Sequence, residues 1–363
     1  MDGDKKVIGF LIGSLSKGGA ERVIVNLAEY FTSIGYKSYI ITKHIAENEY
    51  TISKDITRLN GDIEGDEISS NRVINFFRRV RKLRRIWIDI KADIVLSLIG
   101  KNNHMNILST RGLKTKVAVS VAGEPRMEYP GKYMLLANLL FPKADGIMLQ
   151  TEESAKSFAR KVRKKAIILK SPLNEEFVID NPSLDRKKEI VSVGRLDDNK
   201  NQIMLIKAFL QIAENHKDWN CILYGDGESR SKIYNYIEEQ SIGNRVILKG
   251  AVDNVSQHIS SASIFVLTSK SEGYPNALVE AMALGIAVIS TDCPSGGPAE
   301  LISNEVNGIL VGVDDEQGLR DAIVKLIVDE KMRKKLGANA YESAKVYYPK
   351  TVLNEWRVFL EGL

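Results

Sequence analysis

At 363 residues, 44% hydrophobic and 27% charged, the chain is too long for one ordinary core and is expected to form two globular α/β domains. Two cysteines, Cys221 and Cys293, exclude a disulfide framework and a paired zinc motif. The apolar run after Lys6 is too short for a secretory leader or a membrane span, so a cytoplasmic protein is expected. The net charge of +5 hides an asymmetry. Residues 1–170 carry 30 Lys and Arg against 18 Asp and Glu, and the remainder 21 against 28, so the first half is expected to face something polyanionic.

In chain order, short Val/Ile/Leu runs read as buried parallel strands at 7–12, 38–42, 93–98, 116–121, 146–149 and 166–169. Between the first two, Val23, Leu27, Phe31 and Ile34 recur at helical spacing and Gly35 stops the helix, which makes a βαβ unit. Ser171-Pro172-Leu173-Asn174, followed by Asn181-Pro182, breaks the periodicity and reads as a linker. A second series then begins, with strands at 190–193, 220–224, 246–248, 264–267, 287–290 and 309–311. The expected architecture is two doubly wound parallel-sheet domains, 1–172 and 173–345, facing each other across a cleft, with 346–363 returning as a helix to the first.

Three segments suggest anion chemistry. Gly18-Gly19 closes a loop between the first strand and its helix, where backbone amides and the helix dipole attract an anion, although neither Gly-x-Gly-x-x-Gly nor a Walker loop is present. Arg195 and Lys200 lie five residues apart behind a strand, close enough to grip one diphosphate. A solvated loop would show the same spacing. Ser271-Glu272-Gly273-Tyr274-Pro275-Asn276-Ala277-Leu278-Val279-Glu280 enters a helix. Gly273 to Asn276 are expected to form its mouth, Glu280 to meet ribose hydroxyls, and Glu272 to be free to contact a sugar.

Together these segments resemble glycosyltransferase family four, the retaining enzymes with two facing Rossmann-like domains known as GT-B, over nearly the whole length. The Glu272-x7-Glu280 spacing is the family's signature. The resemblance implies that Arg195 and Lys200 hold the donor diphosphate, Glu280 the ribose, and Glu272 with the amides after it the transferred sugar. It makes Glu272, Arg195 and Lys200 the catalytic set. Gly18, Gly19, Gly225, Val252, Gly273, Tyr274, Pro275, Asn276, Ala277 and Leu278 complete the expected donor site. The resemblance is closest to bacterial enzymes that extend polyprenyl-diphosphate-linked oligosaccharides or capsular repeats, with a UDP-sugar as donor. At Val119 to Pro125 the sequence departs from the residues that relatives often carry, around Ala122 and Gly123.

Residues 71–91 read as a basic amphipathic helix, with Phe76, Phe77, Val80, Leu83 and Trp87 interleaved among the cations. Arg78, Arg81 and Arg85 are expected to grip an acceptor's diphosphate or an anionic membrane surface. His104, Glu124 and Arg126 follow strands and join the expected acceptor side, though a loop histidine and surface charges would look the same. No stacking platform or recognition motif supports nucleic-acid binding. The Asp2-Gly3-Asp4 triplet follows no core strand, so neither metal nor cofactor is expected. The alternatives are a sugar-nucleotide 2-epimerase or phosphorylase on the same plan, and a silent subunit that binds nucleotide or carrier lipid.

Overall fold

The computed structural model describes residues 5–16, 18–183 and 185–363, so the Asp2-Gly3-Asp4 triplet and Lys17 of the glycine loop lie outside the described residues. The chain divides into two compact units, Met1–Pro172 with Lys350–Leu363, and Leu173–Pro349.

The first unit is built on β1 (Val7–Leu11), β2 (Lys37–Thr42), β3 (Thr57–Asn60), β4 (Ile94–Leu98), β5 (Lys116–Val121), β6 (Gly146–Leu149) and β7 (Ala166–Ile168). The sheet order is β3-β2-β1-β4-β5-β6-β7, with every pair parallel. Each residue of β1 and β4 is buried, as strands covered on both faces must be, which is why these runs carry no polar alternation. The edge strand β3 has no such run to announce it. It is held by pairing with β2 and by Arg58, which donates to Thr42 Oγ1 at 2.9 Å and to Glu49 Oε2 at 2.5 Å.

Trp87 and Trp356 anchor opposite faces of this sheet and are 1% and 2% exposed. Burying an indole removes on the order of 150–250 Å² from water, worth about 4–6 kcal/mol at ~25 cal/mol per Å². Trp356 belongs to the C-terminal helix Pro349–Glu361, whose Val352, Leu353 and Leu360 pack into the core beneath Ile8, Phe10 and Phe31. Its indole N–H donates to the Lys170 carbonyl at 2.8 Å. Residues 346–349, expected to start this helix, stay with the second unit instead: Tyr347 packs in that unit's core and its carbonyl accepts the Leu173 N–H at 2.9 Å.

The second unit contains β8 (Lys187–Val193), β9 (Asn220–Tyr224), β10 (Val246–Gly250), β11 (Ala262–Leu267), β12 (Ala287–Thr291) and β13 (Ile309–Val311), in the order β10-β9-β8-β11-β12-β13, again all parallel. Strand order reverses between β1 and β4 in the first sheet and between β8 and β11 in the second. In doubly wound sheets, ligands bind outside the carboxyl ends of the strands at such reversals.

Candidate active site

Arg195 and Lys200 follow β8, and Glu272 to Glu280 follow β11, so the second unit's candidate residues flank its reversal point. Close backbone packing shapes the start of the first loop. Gly194 and Gly225 have φ of +154° and +135°. A Cβ on Gly225 would collide with the Gly194 carbonyl, so this approach of two strand ends requires glycine. The Gly194 N–H donates to the Tyr224 carbonyl at 3.0 Å and the Gly225 N–H to that of Gly250 at 2.8 Å, which draws the ends of β8, β9 and β10 together.

Leu196, 1% exposed, pins the loop from within, while the side chain of Arg195 stays 79% exposed. Asp197 links the two cations: Oδ2 lies 3.3 Å from Arg195 Nη2, and Oδ1 accepts the Lys200 backbone N–H at 2.9 Å. Gln202 donates to the Arg195 carbonyl at 2.7 Å and steadies the loop from its far side.

The two loops meet in an ion pair. Lys200 Nζ lies 2.5 Å from Glu272 Oε1, which also accepts the Ser269 hydroxyl at 2.6 Å. Further ties run from Lys270 N–H to the Asn199 carbonyl at 2.7 Å, from Asn199 Nδ2 to the Ser271 carbonyl at 3.0 Å, and from Thr268 Oγ1 to the Lys200 carbonyl at 2.8 Å. Glu272 is therefore not free, as the sequence suggested, because a carboxylate in a half-buried position is stabilised by a paired cation. An ammonium carries three N–H donors and Glu272 takes one, which leaves Lys200 capacity for a second anion.

The helix after this loop spans Asn276–Ala283, preceded by Pro275, with no side chain capping its start. Asn276 and Ala277 are half-buried there, and Glu280, one turn further, is 5% exposed. Tyr274 and Leu278 differ from expectation. Both side chains lie in the apolar core, where Tyr274 packs edge-on to Tyr347 at 5.9 Å, so neither reaches outward and any donor contact falls to the backbone. Burial, with Tyr347, Glu280 and Glu300 nearby, holds the Tyr274 phenol well above its usual range. Val252 is likewise half-buried against this core. Cys293, in the loop after β12, is buried beside the ion pair. Burial, then the Glu272 charge, pushes its thiol up to about 12.

In the first unit, Gly18 caps the helix Gly19–Ser33, but a Cβ at Gly18 would collide with the Glu21 carboxylate. The positive end of that helix therefore has an acid of its own in the first turn, which answers the dipole locally. His104 is not an outward-facing loop residue. It lies in the helix Lys101–Thr110, 1% exposed, with its ring 5.4 Å from Tyr129 and 6.1 Å from Phe141, and burial lowers its pKa to about 4. Glu124 caps the helix Pro125–Glu128 by accepting the Met127 N–H at 2.7 Å, and Arg126 is exposed.

The basic helix spans Arg72–Asp89. Arg79 pairs with Asp62 at 2.5 Å, Lys82 donates to the Asp62 carbonyl, and Arg84 to those of Ser109 and Arg111, so these cations serve the fold. Arg78 donates to the Glu67 carbonyl at 2.5 Å, whereas Arg81 and Arg85 are exposed. Phe77 is also exposed rather than part of the packed stripe, alongside Val73 and Ile74. Among the described residues, no helix is long and apolar enough to cross a membrane, and no group of three His, Cys, Asp or Glu could hold a metal.

Residues 174–343 match the family described as glycosyl transferases group 1. A Campylobacter jejuni GalNAc-alpha-(1->4)-GalNAc-alpha-(1->3)-diNAcBac-PP-undecaprenol alpha-1,4-N-acetyl-D-galactosaminyltransferase is 26% identical, with 96% of each chain covered. A second enzyme of that organism, N-acetylgalactosamine-N,N'-diacetylbacillosaminyl-diphospho-undecaprenol 4-alpha-N-acetylgalactosaminyltransferase, is 26% identical over 94% of this chain and 95% of its own. Anabaena HepE, solved in complex with UDP and glucose, has the same fold, with a TM-score of 0.82 at 17% identity over 98% of this chain and 99% of that one.

Proposed function

Because the chain is a glycosyltransferase, with the group 1 family in residues 174–343, we propose that it moves an N-acetylhexosamine or hexose from a UDP-sugar to a polyprenyl-diphosphate-linked glycan. The observation that carries this reading is the Lys200–Glu272 pair at the reversal between β8 and β11, with exposed Arg195 on the same loop as Lys200. The acceptor class is supported by the two Campylobacter relatives, and the uridine base by the UDP bound in HepE.

In this reading the anomeric C–O bond to the diphosphate breaks through an oxocarbenium-like state, the acceptor hydroxyl attacks the same face, and its proton passes to the departing diphosphate oxygen as the new bond forms. Retention of configuration is carried by the family resemblance alone. Negative charge grows on the leaving diphosphate, where Lys200 and Arg195 supply the fixed positive charge that a metal supplies in other transferases. Glu272 holds Lys200 in place before the donor arrives, so little reorganisation is needed at the moment of reaction. Arg81 and Arg85, with Phe77 beside them, would hold the first unit peripherally at an anionic membrane surface.

A thermal-shift screen of UDP-, GDP- and ADP-sugars tests the donor, because a ligand that binds only the folded state raises its stability by mass action. A shift with UDP-sugars alone is expected. A shift confined to GDP- or ADP-sugars, or none with any of the three, would overturn this donor assignment.

A further inference from the structure

In the first sheet, β4 and β5 lie side by side, and the loops leaving their carboxyl ends meet over one side chain. Glu128, the last residue of the helix Pro125–Glu128, accepts three backbone N–H groups: that of Gly100 at Oε2 (3.1 Å), and those of Ala122 (3.1 Å) and Gly123 (2.5 Å) at Oε1. Gly100 follows β4, while Ala122 and Gly123 follow β5.

The β4 loop needs such a hold. Ile99 and Gly100 have consecutive φ of +66° and +54°. A β-branched residue at positive φ is a genuine outlier, and it persists only where its surroundings impose it. The next residue, Tyr129, extends the grip. Its hydroxyl accepts from Asn103 Nδ2 at 2.7 Å, and the same amide group donates to the Ser120 carbonyl at 2.8 Å. Glu128 is half-buried, and among the described residues no cation is paired with it. Burial pushes it up to about 7 against the downward pull of the three N–H donors.

We propose that Glu128 is a positioning residue for the acceptor: its carboxyl locks the loops after β4 and β5 into one rim and fixes the turn that presents Glu124 and Arg126. The inference rests on the proposed transfer to a lipid-linked acceptor and on the expectation that Glu124 and Arg126 lie on the acceptor side. Glu128 lies in the first unit and the Arg195, Lys200 and Glu272 loops in the second, so its effect can be read on the acceptor separately from those loops.

Glu128→Gln preserves shape but not acceptor capacity. With its oxygen towards Ala122 and Gly123, its NH2 group confronts the Gly100 N–H, donor against donor. Full-length wild type and variant are compared with UDP-N-acetylgalactosamine and a diphospho-undecaprenol disaccharide ending in N-acetylgalactosamine. The acceptor KM is expected to rise about tenfold as the rim loses its fixed geometry, while donor KM and acceptor-free donor hydrolysis stay within about twofold. An unchanged acceptor KM, or an equal rise in both KM values, overturns the proposal.

Should the variant fail to fold, hydrogen exchange on the wild type decides. Added acceptor is expected to protect 99–103 and 122–128, and unchanged exchange there overturns the inference. Wild type that transfers no sugar to this acceptor instead removes the functional reading, and the inference falls with it.

Discussion

Lys200 and Glu272, 72 residues apart in the chain, meet in an ion pair of 2.5 Å between the loops that leave β8 and β11. The pairing exists because two strands adjacent in the sheet deliver their following loops to the same edge.

Removing either half of that pair has distinct consequences. Lys200→Ala is expected to lower kcat by roughly 10²- to 10³-fold, the usual cost of losing an electrostatic donor at a leaving group. Glu272→Gln keeps the shape but leaves Lys200 without its counter-charge, so a fall of about tenfold or more in kcat/KM for the donor is expected. Steady-state kinetics at saturating acceptor check both, and near-normal turnover in Lys200→Ala would remove it from the reaction.

At Gly225 an added methyl meets the Gly194 carbonyl and the φ of +135° disfavours any side chain. Gly225→Ala is expected to destabilise the second unit by about 2–4 kcal/mol and to weaken nucleotide binding by shifting the loop that bears Arg195. Chemical denaturation and UDP titration measure the two effects, and a variant as stable as the parent would contradict the packing described.

The buried ring of His104 sets an acid limit. Its folded pKa of about 4 lies below the ordinary 6.5, so the unfolded chain takes up the proton first and stability falls as pH drops from about 6.5 towards 4. At about 1.4 kcal/mol per unit the loss amounts to roughly 2–3 kcal/mol at pH 4.5. His104→Gln should lose less stability between pH 7 and 4.5. Equal losses in variant and parent would show that this ring does not govern the acid response.

Arg81 and Arg85 are the exposed cations of the basic helix that were expected to meet the acceptor or the membrane. At about 1 kcal/mol for each cation near an anionic leaflet, the Arg81→Gln/Arg85→Gln double variant should bind phosphatidylglycerol vesicles about 25-fold more weakly, with the difference shrinking in high salt. Arg79→Gln should instead act on stability, because Arg79 is held by Asp62. Vesicle sedimentation that does not separate double variant from parent would count against the membrane surface assigned to this helix.

Much of the fold is legible in sequence because a parallel strand covered on both faces must be apolar throughout. The runs at 116–121, 146–149 and 309–311 coincide with β5, β6 and β13. β3 is invisible by the same logic, since Thr57–Asn60 is an edge strand held by β2 and by Arg58 rather than by its own apolar residues. The candidate site was partly legible. Arg195, Lys200, Glu272 and Glu280 stand out because strand-to-helix loops with glycines and charges are a local pattern, whereas Ser269 and Gln202 carry no such signal.

What the sequence alone determined is local: where apolar runs end, where glycine and proline turn the chain, and which loops carry fixed charge. Tertiary structure decided what those loops meet. It bound Glu272 to Lys200, folded His104, Tyr274 and Leu278 inward, gathered three amides onto Glu128, and brought Trp356 to the Lys170 carbonyl. Each outcome depends on neighbours supplied by strand order and core packing, and neither spacing nor composition encodes that order.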